Sequence, residues 1–356
     1  MARGLASSRH MHAAKVAVVG ASGYSGEELV RLLSRHPRVD LVALTSRQVA
    51  GQPLAEVYPK FAGTRFAALK FVDSSTDAIS GSGAEFVFLA LPHGVAAEYA
   101  KPLVESGMRV IDLSADFRIK DPAVYEEFYG EKPHAPELCA ESVYGMPEIY
   151  REQISKARLV ACPGCYPTSM ILPLVPLLKR GLLDPKSIVV SSVSGVSGAG
   201  RSVKADYLFV ECNESVRAYS VPKHRHLSEV EQELSNAAGE RVMINFTPHL
   251  MPINRGIHTT IYCMPAPRTE PWHIENAYAE TYGGEPFIRI LTGNALPDTK
   301  NVALTNFIDI AWRHDPRTGR LILLSAEDNL VKGASGQAVQ CLNLMAGWPE
   351  TEGLLA

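Results

Sequence analysis

The sequence predicts an α/β chain in two units. The first is a Rossmann-like domain with a mostly parallel sheet over residues 15–164, completed by a C-terminal helix at 329–347. The second, over 165–328, is an α+β domain with a mostly antiparallel sheet. Three observations predict this. A β-branched run enters a glycine loop that opens a helical pattern. Further short apolar runs end in small or polar residues, as buried parallel strands do. After residue 187, strand patterns outnumber helical ones, which points to an antiparallel sheet. With 356 residues, 46% of them apolar, the chain has material for two cores.

Composition also excludes several classes. A net charge of −3 without a long basic run argues against a nucleic-acid partner. No apolar stretch reaches the length of a membrane span. Six irregularly spaced cysteines predict reduced thiols in a cytoplasmic setting, not a disulfide scaffold. The opening Met1 to Ala14 lacks the apolar centre of a secretory signal. It reads as a ragged terminus, an expression scar or the remnant of an organellar transit peptide.

Lys15 to Val19 is the first strand, and Glu27 to Ser34 has a helical pattern. Between them lies Gly20-Ala21-Ser22-Gly23-Tyr24-Ser25-Gly26, spaced G-x-x-G-x-x-G. Strand, glycine loop and helix together read as a dinucleotide site: the backbone can approach a pyrophosphate, and the helix N-terminus favours its charge. Gly20, Ser22, Gly23, Tyr24, Ser25 and Gly26 are the expected contacts. The second strand, Val39 to Leu44, ends in Thr45-Ser46-Arg47 where an NAD site would place an acid. Ser46 and Arg47 suit a 2′-phosphate, so NADP is the expected cofactor; the alternative is that Arg47 is a solvated loop charge.

Ala84 to Leu91 is a buried strand ending in Pro92-His93-Gly94, and Ala96 to Val104 is helical. Pro92 and His93 are expected near the cofactor, with a structural turn as the other reading of His93. Arg109 to Leu113 is a strand ending in Ser114-Ala115-Asp116-Phe117-Arg118. Residues 121–150 read as an irregular excursion with a short helix. Arg158 to Ala161, the last strand of this unit, carries Cys162-Pro163-Gly164-Cys165-Tyr166-Pro167-Thr168 to the carboxyl edge of the sheet, where ligands bind.

Cys165 is the candidate nucleophile. It follows Pro-Gly and precedes a helix, whose unpaired N–H groups favour a thiolate; a buried structural cysteine is the alternative. The helical run Thr168 to Leu178 contains Pro173 and Pro176, which are expected to kink it. The strand Ser187 to Val193 leads to Ser194-Gly195-Val196-Ser197-Gly198-Ala199-Gly200-Arg201. That loop offers an anion its N–H groups, hydroxyls and Arg201, or else is a flexible linker. His224-Arg225-His226 supplies a base for a reactive thiol, with Glu229 close behind. No ligand set is spaced for zinc, and Cys162-x-x-Cys165 reads as a turn, so no metal is expected. Val242 to Thr247, Thr259 to Met264, Asn306 to Trp312 and Leu321 to Ser325 read as strands. Arg255 is a further candidate anion or carboxylate contact. The tail from Asn329 becomes a helix through Met345 that should return to the first domain.

From about Lys15 to Trp348 the chain resembles the N-acetyl-γ-glutamyl-phosphate reductases of the semialdehyde dehydrogenase superfamily. The resemblance is carried by the Gly20–Gly26 loop, Leu91-Pro92-His93-Gly94, Asp112 to Arg118, Pro163 to Thr168, Ser194 to Arg201, His224-Arg225-His226 and Lys332-Gly333-Ala334-Ser335-Gly336-Gln337-Ala338-Val339-Gln340. It implies Cys165 as nucleophile and His224 or His226 as acid–base. The implied reaction is NADPH-dependent reduction of an acyl phosphate to a semialdehyde through a thioester, in arginine biosynthesis. Ser197, Gly198, Asn329 and Lys332 join the expected cofactor set. Arg118, Arg201 and Glu229 are expected at the substrate, with Ser197 also near its anionic groups. A homo-oligomer, dimer or tetramer, is implied.

Two residues depart from the family pattern: Cys162 stands for the usual Asn, and Ser228 for the usual Pro. The first raises a Cys162–Cys165 disulfide or an altered thiol environment; the second changes a helix start where serine also caps. Three other readings stay open. They are a related reductase of aminoadipyl or aspartyl phosphate, a non-catalytic nucleotide sensor, and a C-x-x-C thiol–disulfide protein.

Overall fold

The computed structural model describes residues 13–201 and 203–355; residues 1–12 of the opening segment lie outside it. The first sheet holds β1 (Ala14–Val19), β2 (Val39–Thr45), β3 (Phe71–Val72), β4 (Phe86–Leu89), β5 (Arg109–Asp112), β6 (Val143–Tyr144) and β7 (Leu159–Ala161). Its order is β3-β2-β1-β4-β5-β7-β6, and every pair is parallel. β4 and β7 are buried along their whole length, which is why their sequences are continuous apolar runs.

Helices cover both faces of this sheet. Thr76–Gly81 and Ala96–Glu105 pack on one side. Tyr24–Leu33, Pro147–Lys156 and the C-terminal Gly336–Met345 pack on the other. The chain order reverses between β1 and β4, which opens a crevice at the carboxyl edge. Gly20 and the chain after β4 meet there: a methyl group on Gly20 would lie 2.4 Å from the Ala90 carbonyl oxygen.

The second sheet holds β8 (Val189–Gly195), β9 (Arg217–Ala218), β10 (Asn245–Met251), β11 (Ile257–Cys263), β12 (Ile288–Ile290), β13 (Ile308–Asp315) and β14 (Arg320–Glu327). Its order is β12-β13-β14-β11-β8-β10-β9. The β8–β10 and β12–β13 pairs are parallel and the remaining four antiparallel. One face carries the helices Cys165–Leu178, Leu227–Ala238 and Pro271–Tyr282. Among the described residues no helix is long and apolar enough to cross a membrane.

Several expectations are corrected here. Residues 121–150 are not irregular. They form Pro122–Tyr129, Pro136–Glu141, β6 and the start of Pro147–Lys156, each helix opened by a proline. Elements this short show too little period to read. The strand expected at 242–247 begins at Asn245, because Val242 and Ile244 fill the core ahead of the sheet.

Nor do Pro173 and Pro176 interrupt the Cys165–Leu178 helix. A proline leaves the carbonyl four residues earlier without its donor. Ser325 Oγ donates to the Ser169 carbonyl at 2.7 Å, and Tyr282 Oη to that of Leu172 at 2.7 Å. Both orphaned carbonyls are thus satisfied from neighbouring elements, and the helix that begins with Cys165 runs through.

Candidate active site

The first edge of the site is the glycine loop. Gly20 has φ +79°, a conformation that side chains resist, and a methyl group on Gly26 would lie 2.3 Å from the Gly20 carbonyl oxygen. The helix Tyr24–Leu33 starts at Gly23 with no side-chain cap, so its N-terminal N–H groups remain available to an anion. Ser22 Oγ and Ser46 Oγ lie 3.0 Å apart, and Arg47 is exposed beside them. A cleft of about 820 Å³ runs from these residues past Pro92 and the Asn329 turn to Cys165. A tight glycine cradle, an open helix end and a hydroxyl–guanidinium pair fit a phosphorylated dinucleotide.

A second cavity, about 530 Å³, lies beyond Cys165 and is lined by His224, Tyr219, Lys223 and Ser194 among others. The two cavities share Leu91, Leu113, Arg118, Cys165, Gly198, Ala199, Arg225 and His226. The thiol therefore stands where a ligand in one space meets a ligand in the other.

Cys165 is the first residue of its helix, capped by Gly164. The expected preformed thiolate is not found. Burial, with the Glu327 carboxyl next, pushes the thiol up to about 12, which outweighs the Tyr166 N–H and Arg118. Cys165 is thus a thiol that needs a base. His224 and His226 are both pushed down to about 3, by burial first and then by neighbouring positive charge, so both imidazoles are neutral. His226 faces both cavities; His224 lines the second, and its Nδ1 accepts the His226 backbone N–H at 3.1 Å. His226 Nδ1 is buried without a hydrogen-bond partner. Gly164 makes room for the ring: a methyl group there would lie 2.5 Å from His226 Nε2.

Glu229, expected at the substrate, reaches neither cavity. It is fully buried and accepts from Arg118 at 3.1 Å, Tyr144 Oη at 3.0 Å and the Gly164 N–H at 3.2 Å. It clamps the cysteine turn to Arg118. Arg118 lines both cavities, and its Nε is buried without a hydrogen-bond partner.

Four other residues lie elsewhere than expected. His93 lines the second cavity, not the cofactor cleft, with Arg225 3.1 Å away. Lys332 is fully buried and lines neither cavity; its Nζ donates to Glu148 at 2.6 Å and Gln340 at 3.0 Å, away from the cofactor cleft. Arg201 sits on the glycine-loop side of the cleft, paired with Glu27, bonded to Tyr58 Oη at 3.0 Å and 4.8 Å from the Tyr24 ring centre. Arg255 bridges Glu28 at 2.7 Å and Asp328 at 3.5 Å.

Ser197 and Gly198 line the cleft, and Ser197 Oγ accepts from Asn329 at 2.9 Å. All six cysteines are free, and Cys162 packs against Cys341. No cluster of three potential metal ligands occurs among the described residues. Arg225 and Tyr219 had not been singled out as site residues. Arg225's position between two histidines was the available signal; Tyr219 carried none.

The comparisons agree with this architecture. Residues 15–157 match the semialdehyde dehydrogenase NAD-binding domain, and residues 165–329 the semialdehyde dehydrogenase dimerisation domain. An N-acetyl-γ-glutamyl-phosphate reductase of Akkermansia muciniphila is 58% identical over 97% of this chain and 99% of its own. One from Moorella thermoacetica is 50% identical over 96% of this chain and 97% of its own. Among solved structures, aspartate semialdehyde dehydrogenase II of Vibrio cholerae shares the fold at TM-score 0.71 and 18% identity, over 94% of this chain and 99% of its own. The Candida albicans aspartate semialdehyde dehydrogenase with NADP gives TM-score 0.68 at 15% identity, over 94% and 98%. A nucleotide-binding sheet, a cysteine at the head of a helix and near full-length relatives converge: the chain belongs to the semialdehyde dehydrogenase superfamily and, within it, to the N-acetyl-γ-glutamyl-phosphate reductases.

Proposed function

We propose that this enzyme reduces N-acetyl-γ-glutamyl phosphate with NADPH to N-acetylglutamate 5-semialdehyde and phosphate, through a thioester on Cys165. The observation that carries the reading is the position of Cys165 at the junction of the two cavities. Neutral His226 takes the thiol proton. Sγ then attacks the acyl carbon, the C–O bond to phosphate breaks, and phosphate leaves. The cleft lined by Gly20, Ser22, Gly23, Ser46 and Arg47 would hold NADPH, which would supply the hydride that takes the thioester to a thiohemiacetal. His226 manages the proton as that adduct collapses to aldehyde and thiol. Arg118, buried with a free Nε, and Arg225 face the space where the substrate's anionic groups would lie. Ser46 and Arg47, with no acid beside them on the strand end, support NADP over NAD.

The sheet face opposite the helices leaves Val189 and Tyr262 exposed, 42% and 40%. With the dimerisation-domain match, it supports pairing with a second copy through that face. A reductase of aspartyl or aminoadipyl phosphate is the competing assignment. Initial rates of candidate semialdehydes with phosphate and NADP, alongside NAD, separate them. Cys165→Ser should lose about 10³-fold or more in kcat while still binding NADPH by fluorescence. Substantial turnover in that variant overturns the mechanism.

A further inference from the structure

Behind Cys165 lies a carboxyl group that the reaction above does not use. Glu327 ends β14, opposite Ile257 of β11 and Ile308 of β13, and is fully buried. Neither carboxylate oxygen has a hydrogen-bond partner among the described residues. Gly333, in the wide turn Val331–Ser335, stands between it and the thiol-bearing residue. A methyl group at Gly333 would lie 2.9 Å from Cys165 Cβ and 3.0 Å from Glu327 Oε1. The two side chains thus face each other across the space of one missing side chain.

The other charged groups around Glu327 are already engaged. Lys332 is held by Glu148 and Gln340. Asp328 accepts the N–H groups of Leu304 and Leu330 at 2.7 and 2.8 Å. Glu148 faces Lys332. Arg118 and Glu229, the other charged groups that act on the sulfur, are bonded to each other. An unpartnered buried carboxylate is costly, and burial pushes Glu327 well above the usual range. After burial, Glu327 is also the largest influence holding the Cys165 thiol up.

We propose that Glu327 guards the nucleophile: the buried carboxyl and the thiol at the cavity junction form one unit carrying at most one negative charge, so Cys165 stays a thiol until ligands bind and His226 takes its proton. Glu327 is then a positioning residue, acting through Cys165. Thiolates, not thiols, react with alkylating agents and peroxides, so the arrangement protects the resting enzyme. The inference rests on Cys165 being the nucleophile, but its test reads the thiol directly and not turnover.

The full chain is treated with iodoacetamide from about pH 6 to pH 10, with Cys165 followed by peptide mass in wild type, Glu327→Gln and Glu327→Leu. Unfolding midpoints are recorded for all three. Ionised Glu327 opposes ionised Cys165, so its removal should speed Cys165 alkylation about ten-fold toward pH 10 in both variants. The other five cysteines should label as in wild type. Superimposable Cys165 profiles overturn the proposal. So does a rise shared by all six thiols, which reports a loosened fold.

Discussion

Gly164→Ala tests whether contact with the chain just before Cys165 sets the place of the His226 ring. Gly164 has φ −69° and ψ 162°, ordinary for alanine, so the substitution strains no backbone. The new methyl would lie 2.5 Å from His226 Nε2, 2.7 Å from Cε1 and 2.8 Å from Glu229 Oε1. Neither neighbour yields easily. Glu229 is fully buried and bonded to Arg118 and Tyr144, and the His226 ring lies 4.8 Å from that of His224 and 6.0 Å from that of Tyr166. To regain ordinary contact, ring and methyl must separate by about 1 Å. A shift of that size in a proton-transfer group costs about 100-fold in kcat. Overpacking adds about 1–3 kcal/mol of destabilisation. The assay is phosphate-dependent reduction of NADP by N-acetylglutamate 5-semialdehyde at saturation, with urea unfolding beside it. Gly81→Ala, where a methyl meets nothing within 4 Å, is the control. A folded Gly164→Ala enzyme keeping a third or more of the wild-type kcat refutes the reasoning.

Three further outcomes follow from named contacts. His224 and His226 titrate at about 3 when folded, against about 6.5 unfolded. Because the folded values are depressed, the stability held by the neutral pair is whole above about pH 6.5 and is lost as pH falls toward 3, by a few kcal/mol. Urea midpoints should drop across that window, and drop less in His224→Asn; parallel acid limbs contradict this. Lys332→Met leaves Glu148 buried and uncompensated, and should cost about 3–5 kcal/mol, much of it recovered by adding Glu148→Met. A variant that keeps its stability but loses NADPH affinity restores Lys332 to the cofactor site. Arg47→Ala should raise KM for NADPH about ten-fold or more and leave NADH kinetics alone. Equal effects on both cofactors remove Arg47 from the 2′-phosphate reading.

The glycine loop was legible because its function and its packing demand the same thing. Gly20 and Gly26 must lack side chains both for a close-packed strand–helix crossing and for an approaching phosphate. The cysteine turn was legible for a similar reason, since Pro-Gly before a helix has few conformational options. What sequence misjudged was charge. Lys332 and Glu229 are ionisable residues in highly specific motifs, and such residues suggest ligands. Both instead meet partners distant along the chain, Glu148 and Arg118, that no local pattern announces. Thiol ionisation failed on the same ground. The helix N-terminus is a local property, whereas Glu327 arrives from a strand more than a hundred residues away. Pro173 and Pro176 suggested a kink because the hydroxyls that relieve them, on Ser325 and Tyr282, come from tertiary neighbours.

The C-terminal helix Gly336–Met345 has a consequence for how the molecule comes into being. Ala338, Val339, Leu342 and Met345 complete the core that starts with Val16, Val18 and Leu29. During synthesis the N-terminal half therefore emerges with one side of its sheet uncovered until residues 336–345 have left the ribosome. A nonsense codon at Gly336 would spare every group at the reaction centre and still leave a chain that chaperones and proteases treat as unfinished.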